Sequence, residues 1–189
     1  YAGDGNDHIA GEDGHDTIYA GRGNDVVHAG SHNDKVYGES GNDYINTGSG
    51  NDVVHAGSNN DRVYAGIGDD LVNGDAGNDI LKGESGNDII DGGAGHDAIY
   101  GGSGSDTING NDDHDLLYGD DNNDRITGGA GNDIVYDGNG NDYVEGNAGS
   151  DIIFSEDGNN WVHGGAGNDT ISGNDGNETI YGGSGEDVI

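Results

Sequence analysis

Gly92-Gly93-Ala94-Gly95-His96-Asp97-Ala98-Ile99-Tyr100 decides the fold, because the pattern comes back every nine residues. Gly128 to Tyr136 repeats it. Cut in the same phase from Ala2, the chain falls into twenty complete nonapeptides and a final octapeptide, Gly182 to Ile189, with no insertion or deletion. Position eight is Ile, Val or Leu in all 21 units, from Ile9 to Ile189. Position six is Asp in 19 of them, with Asn160 and Glu178 as the exceptions. All 42 glycines stand at positions one, two or four. A fixed short period of this kind marks a repeat architecture in which each unit packs on its neighbours.

Composition narrows the classes. The 189 residues carry 38 acids and 5 bases, a net charge of -33, and no proline, cysteine or methionine. Only 29% are apolar, against about 45–50% in an ordinary domain. A conventional globular core, a disulfide scaffold and a zinc-thiolate site are therefore excluded. No apolar run approaches the roughly 18–20 residues of a membrane span, and so acidic a surface repels nucleic acid. Low hydrophobicity with high charge is also the signature of disorder, but a disordered tail has no reason to hold one phase over its whole length. The missing methionine leads us to expect a segment of a longer chain, with any leader outside it.

Read physically, positions one to six are predicted to turn and positions seven to nine to form a short strand. Glycine at two and four permits positive φ. Position four is the informative one, since its non-glycine occupants are His32, Asn59, Asp113 and Asn122, types enriched in left-handed backbone. Alternation along a strand puts position eight inside and positions seven and nine outside. Residues 1–189 are thus expected to form one all-β unit.

The repeat resembles the RTX (repeats-in-toxin) nonapeptide, Gly-Gly-x-Gly-x-Asp-x-aliphatic-x, over the whole chain. Repeats of that family form calcium-binding β-solenoids. The resemblance implies a parallel β-roll, right-handed, with two nonapeptides per turn and about ten and a half turns. Odd-numbered units would then build one sheet and even-numbered units the other. It also implies calcium held between stacked turns, bound by the position-six carboxylates and by backbone carbonyls. One turn would give the carbonyls of positions two and four, and the next those of positions one and three. So Gly93, Gly95 and Asp97 would share an ion with Gly110, Asp112 and Asp115.

The candidate carboxylate ligands are Asp7, Asp16, Asp25, Asp34, Asp43, Asp52, Asp61, Asp70, Asp79, Asp88, Asp97, Asp106, Asp115, Asp124, Asp133, Asp142, Asp151, Asp169 and Asp187. The candidate position-four carbonyls are those of Gly5, Gly14, Gly23, Gly41, Gly50, Gly68, Gly77, Gly86, Gly95, Gly104, Gly131, Gly140, Gly149 and Gly167. A hard cation with flexible oxygen coordination suits them. Stacking leaves up to about 19 gaps for Ca2+, and that many divalent ions would carry the charge from -33 to +5. One aliphatic side chain per nine residues is too little burial to order the chain alone, so without metal an expanded chain is expected. The gaps between Asp142 and Asn160, and between Asn160 and Glu178, are expected to bind more weakly. Extra acids such as Glu12-Asp13, Asp120-Asp121 and Glu156-Asp157 read as solvated turn charge, with an accessory cation as the alternative.

The two outward faces differ. On the odd sheet Tyr100, Leu116, Tyr118, Ile134, Tyr136, Ile152 and Phe154 would lie side by side. Strand propensity explains them; so does an interface, since large apolar patches are uncommon on monomers. His96 and His114 would stack on one column, as surface filler or as a soft-metal pair. No nucleophile elbow, phosphate loop or other active-site pattern is present. The expected function is that of a calcium-folded, non-catalytic module of a secreted bacterial protein, exported unfolded by a one-step (type I) secretion channel and placed outside the cell or on its surface. The alternatives are a self-associating surface-layer, adhesin or filament protein, and an accessory module of an enzyme such as an alginate epimerase, protease or lipase.

Overall fold

The computed structural model describes residues 1–174 and 176–189. Among these residues the chain forms 23 strands and no helix. They lie in two parallel sheets of eleven and twelve strands, each built from every second nonapeptide. Neighbours are always 18 residues apart: Ala98 pairs with Leu116, Ile99 with Leu117 and Tyr100 with Tyr118. The result is a β-solenoid of about ten turns, the β-roll expected from the repeat.

The strands are longer than predicted. Ala98–Ser103 and Leu116–Asp121 are typical, each six residues long, and run from position seven through position three of the next unit. Only positions four to six turn. The reason is the identity of successive coils: once positions seven to nine stack, positions two and three meet their own equivalents and pair as well, as Gly102 does with Asp120 and Ser103 with Asp121.

This extension changes the core. Position eight is inside as expected, with Val27, Ile45, Ile99, Leu117 and Ile153 fully buried. Alternation then carries position one inside too, where Ala20, Ala29, Ala56, Ala65 and Thr47 are just as deeply buried. A side chain there has little room. A Cβ at Gly92 would stand 2.6 Å from Asp97 Oδ2, 2.8 Å from the Gly110 carbonyl and 3.2 Å from Ile99 Cδ1.

Position four has the backbone its substitutions implied. His32, Asn59, Asp113 and Asn122 take φ between 73° and 81°. The glycines there, Gly140 apart, take φ between 128° and 154°, a region closed to other residues. Each coil approaches the previous one so closely that a Cβ on Gly95 would collide with the Gly77 carbonyl.

Candidate metal centre

The position-six aspartates stack into two columns, one along the strand starts of each sheet. In each column the backbone N–H of one Asp donates to Oδ1 of the Asp 18 residues on. Asp79 N–H reaches Asp97 Oδ1 at 2.8 Å, Asp97 N–H reaches Asp115 Oδ1 at 2.9 Å, and Asp115 N–H reaches Asp133 Oδ1 at 2.9 Å. These are not solvated turn residues. Asp25 through Asp169 of the columns are only 1–4% exposed.

Oδ1 is satisfied and Oδ2 is not. Eighteen of the position-six aspartates, all but Asp187, hold a buried Oδ2 with no hydrogen-bond partner. Such groups are costly to bury unless charge or hydrogen bonds meet them. Burial pushes Asp61 and Asp124 up to about 8, with neighbouring aspartates adding to the rise. Asp70, Asp97 and Asp115 are raised to about 7, again chiefly by burial. No basic side chain answers this charge: among the described residues the ion pairs are His55 with Asp75 and Arg125 with Glu145, neither of them on a column.

Where position one is glycine, an orphaned oxygen and a carbonyl of the next coil border the same space. The space beside Gly92 is bordered by Asp97 Oδ2 and the Gly110 carbonyl, and the space beside Gly128 by Asp133 Oδ2 and the Gly146 carbonyl at 2.6 and 2.7 Å. Thus Asp97, Asp115 and Gly110 of the predicted set come together. Most position-three carbonyls already accept one hydrogen bond, as Ser103 O does from the Gly86 N–H at 2.8 Å, whereas the Asp112 carbonyl of the predicted set accepts none from Gly95. Among the described residues no three His, Asp or Glu side chains form one metal-holding group, so each gap offers at most two carboxylates and needs carbonyls to complete it. A donor set of oxygen alone, doubly anionic and buried, fits a hard divalent cation of calcium's type.

The irregular positions are informative. Asn160 Oδ1 accepts the Asp142 N–H at 2.8 Å, and Glu178 Oε2 accepts the Asn160 N–H at 2.9 Å. The hydrogen-bonded column therefore runs on where the charge pattern changes. Position one departs in the Asn160 coil and in the one before it: Ser155 and Asp137 stand where 18 of the 21 units have Gly or Ala. Asp137 is fully buried, and burial raises it to about 7. From sequence alone position one reads as solvated turn, which hides this residue.

Position five also does more than its sequence suggests. Asn occupies it in 14 of the 21 units, and its side-chain oxygen accepts an N–H from the next coil, as Asn24 N–H to Asn6 Oδ1 at 2.9 Å shows. The two histidines expected to stack do so, 5.2 Å apart. They serve this same ladder: His96 Nδ1 accepts the His114 N–H at 3.0 Å and His114 Nδ1 accepts the Asn132 N–H at 2.6 Å.

A family profile described as the RTX calcium-binding nonapeptide repeat matches nine overlapping segments, beginning with residues 1–36 and ending with 154–189, which together span the chain. No curated protein matches it. With the nonapeptide phase, the two stacked sheets and the aspartate columns, that match makes the chain a member of the RTX family of calcium-binding repeat modules.

Proposed function

We propose that the two columns take up as many as about 19 calcium ions and that this uptake is the folding reaction of the chain. The observation that carries the reading is the row of eighteen buried, unpartnered Oδ2 atoms. The ligands are the position-six aspartates, the position-one carbonyls that border the same spaces as their Oδ2 atoms, and the carbonyls of the position-four glycines. The module is non-catalytic. It is exported as a loose chain and folds when it meets millimolar calcium outside the cell, as a part of a larger secreted protein. Residues 1–189 form a single roll.

Counting bound calcium by equilibrium dialysis and native mass spectrometry tests this. Saturation near 19 ions, taken up together with β structure, is expected. Uptake of only a few ions, or uptake without folding, would refute it.

A second reading concerns the odd face. Tyr100, Tyr118, Tyr136 and Phe154 stack ring on ring at 4.7–4.8 Å, while Ile134 and Ile152 beside them stay exposed. This favours self-association of the roll through that face, in an adhesin or surface layer. A Leu116→Asp, Tyr118→Asp double variant should remove calcium-dependent assembly and leave calcium-induced folding intact. Assembly that survives it would sink the interface.

A further inference from the structure

The coils from 137 to 178 depart from the repeat in two ways that match. Position six loses its charge at Asn160 and changes length at Glu178, while position one gains a carboxylate at Asp137 and a hydroxyl at Ser155. Three regular coils would carry three column carboxylates. These three also carry three, as Asp137 and Asp142 in the first coil, none in the second, and Glu178 in the third. The charge has been moved by one coil.

The geometry shows where it went. Elsewhere the position-one glycine leaves a space beside the Oδ2 of its own coil, as Gly128 does next to Asp133. Asp137 fills the equivalent space beside Asp142 with a carboxylate. Its Oδ1 accepts the Glu156 N–H of the next coil at 2.6 Å, and its Oδ2 is buried with no partner. The Oδ2 of Asp142 is buried and unpartnered too. The next coil offers the neutral Ser155 and Asn160 side chains, with the Glu156 carboxylate close enough to act on Asp137. Ser155 Oγ accepts from Asn160 Nδ2 at 3.0 Å and donates to Glu178 Oε2 at 3.2 Å. The backbone has given way to make room. Ile134–Tyr136 and Ile152–Phe154 stop short, and pairing resumes only at Asn139–Gly140 and Asp157–Gly158.

We infer that the gap between Asp142 and Asn160 is a rebuilt cation site, in which Asp137 supplies the second carboxylate and Ser155 and Asn160 present neutral oxygens. It takes a hard divalent cation, as the regular gaps do, but draws both charges from one coil. The weak gap expected from Asn160 alone is thereby restored, and the weakness passes to the following gap, which keeps only Glu178. This rests on the calcium reading of the columns.

The chain carries its own reporter. Its single tryptophan, Trp161, directly follows Asn160 and stacks on Tyr143 at 4.3 Å. Terbium(III), which accepts calcium-type oxygen sites, can be excited through that indole, while circular dichroism follows calcium-induced folding of the same chain. Asp137→Asn should weaken tryptophan-sensitised terbium binding by about tenfold or more, as loss of a charged ligand does, while folding, driven by the other gaps, should still occur at a slightly higher calcium concentration. Adding Asn160→Asp, which returns the carboxylate to position six, should recover binding to within about twofold. That double variant also decides the matter if Asp137→Asn alone folds poorly. Unchanged terbium binding in Asp137→Asn would make Asp137 a buried protonated acid and overturn the site. So would failure of Asn160→Asp to rescue. A wild-type chain whose dichroism ignores calcium would bring down the calcium reading, and the site with it.

Discussion

Replacing Asp97 by Asn should have opposite effects with and without calcium. Asp97 is 3% exposed, Oδ1 accepts the Asp79 N–H, and Oδ2 has no partner. Asn keeps the first contact, as Asn160 does at its own position, and removes the charge. In calcium, each of the two gaps flanking Asp97 loses one of its two carboxylates. At about tenfold in affinity per gap, that is about 3 kcal/mol in all. Without metal the sign reverses. Burial lifts Asp97 to about 7 from an ordinary value of 3.8, so keeping it ionised in the folded coil at pH 8 costs about 4 kcal/mol, reduced by solvent screening to on the order of 2. Asn removes that cost. Calcium titrations followed by circular dichroism read the first effect. Titrations with an excluded osmolyte in chelator, which force folding without metal, read the second. Asp97→Asn should need more calcium and less osmolyte than wild type. A variant harmed equally in both would mean that Asp97 is only a turn hydrogen bond.

Ile99→Ala, at a fully buried position, should cost about 2–5 kcal/mol. Spread over about 19 cooperating ions, a loss of about 3 kcal/mol moves the calcium midpoint only about 1.3-fold; a shift of about fourfold would mean some four ions instead. Gly95→Val should destabilise the roll by more than about 2 kcal/mol, whereas Gly95→Asn should be milder, since Asn59 and Asn122 already hold positive φ at that position. The metal-free chain should gain β structure on acidification. Its column aspartates have folded values raised from 3.8 to about 6 at Asp43 and to about 8 at Asp61, chiefly by burial. The metal-free fold is therefore favoured at low pH and loses that advantage as pH rises through about 6 to 8. Circular dichroism in chelator between pH 8 and 5 checks this, and a flat response would contradict it.

Much of the molecule is legible in its sequence because the repeat is short and its phase unbroken. Position eight marks the core row, Asn59 and Asp113 mark the left-handed backbone, and the period of two units sets the 18-residue register. What escapes are effects of stacking. Position one turns inward only because the strand continues past position nine, and a single nonapeptide does not show that. The Asn ladder at position five needs the coil above it to have a donor to accept. The even sheet also carries an aromatic ladder, Tyr19 on Tyr37 at 4.7 Å and Tyr37 on His55 at 5.3 Å, which reads as a mixed face until the strands are laid side by side. Asp137 is hidden for the same reason, though its exception to a Gly/Ala position, in the coil before Asn160, is a signal.

The buried carboxylates also explain why the repeat tolerates so little positive charge. Arg125 stacks over Tyr143 at 4.4 Å, and Lys82 lies between Tyr64 and Tyr100. Both sit on outward strand faces, away from the columns, and leave the column charge for a diffusible cation to neutralise. If calcium uptake is the folding reaction, as proposed, such a module would couple order to the surrounding calcium concentration, with no ion-pair network among its described residues.

Sedimentation velocity in chelator and in millimolar calcium tests this coupling most directly. A slowly sedimenting, extended chain that becomes a compact roll of 19.2 kDa plus its bound metal is the expected result. A chain that sediments identically in both conditions, compact or extended, would contradict it.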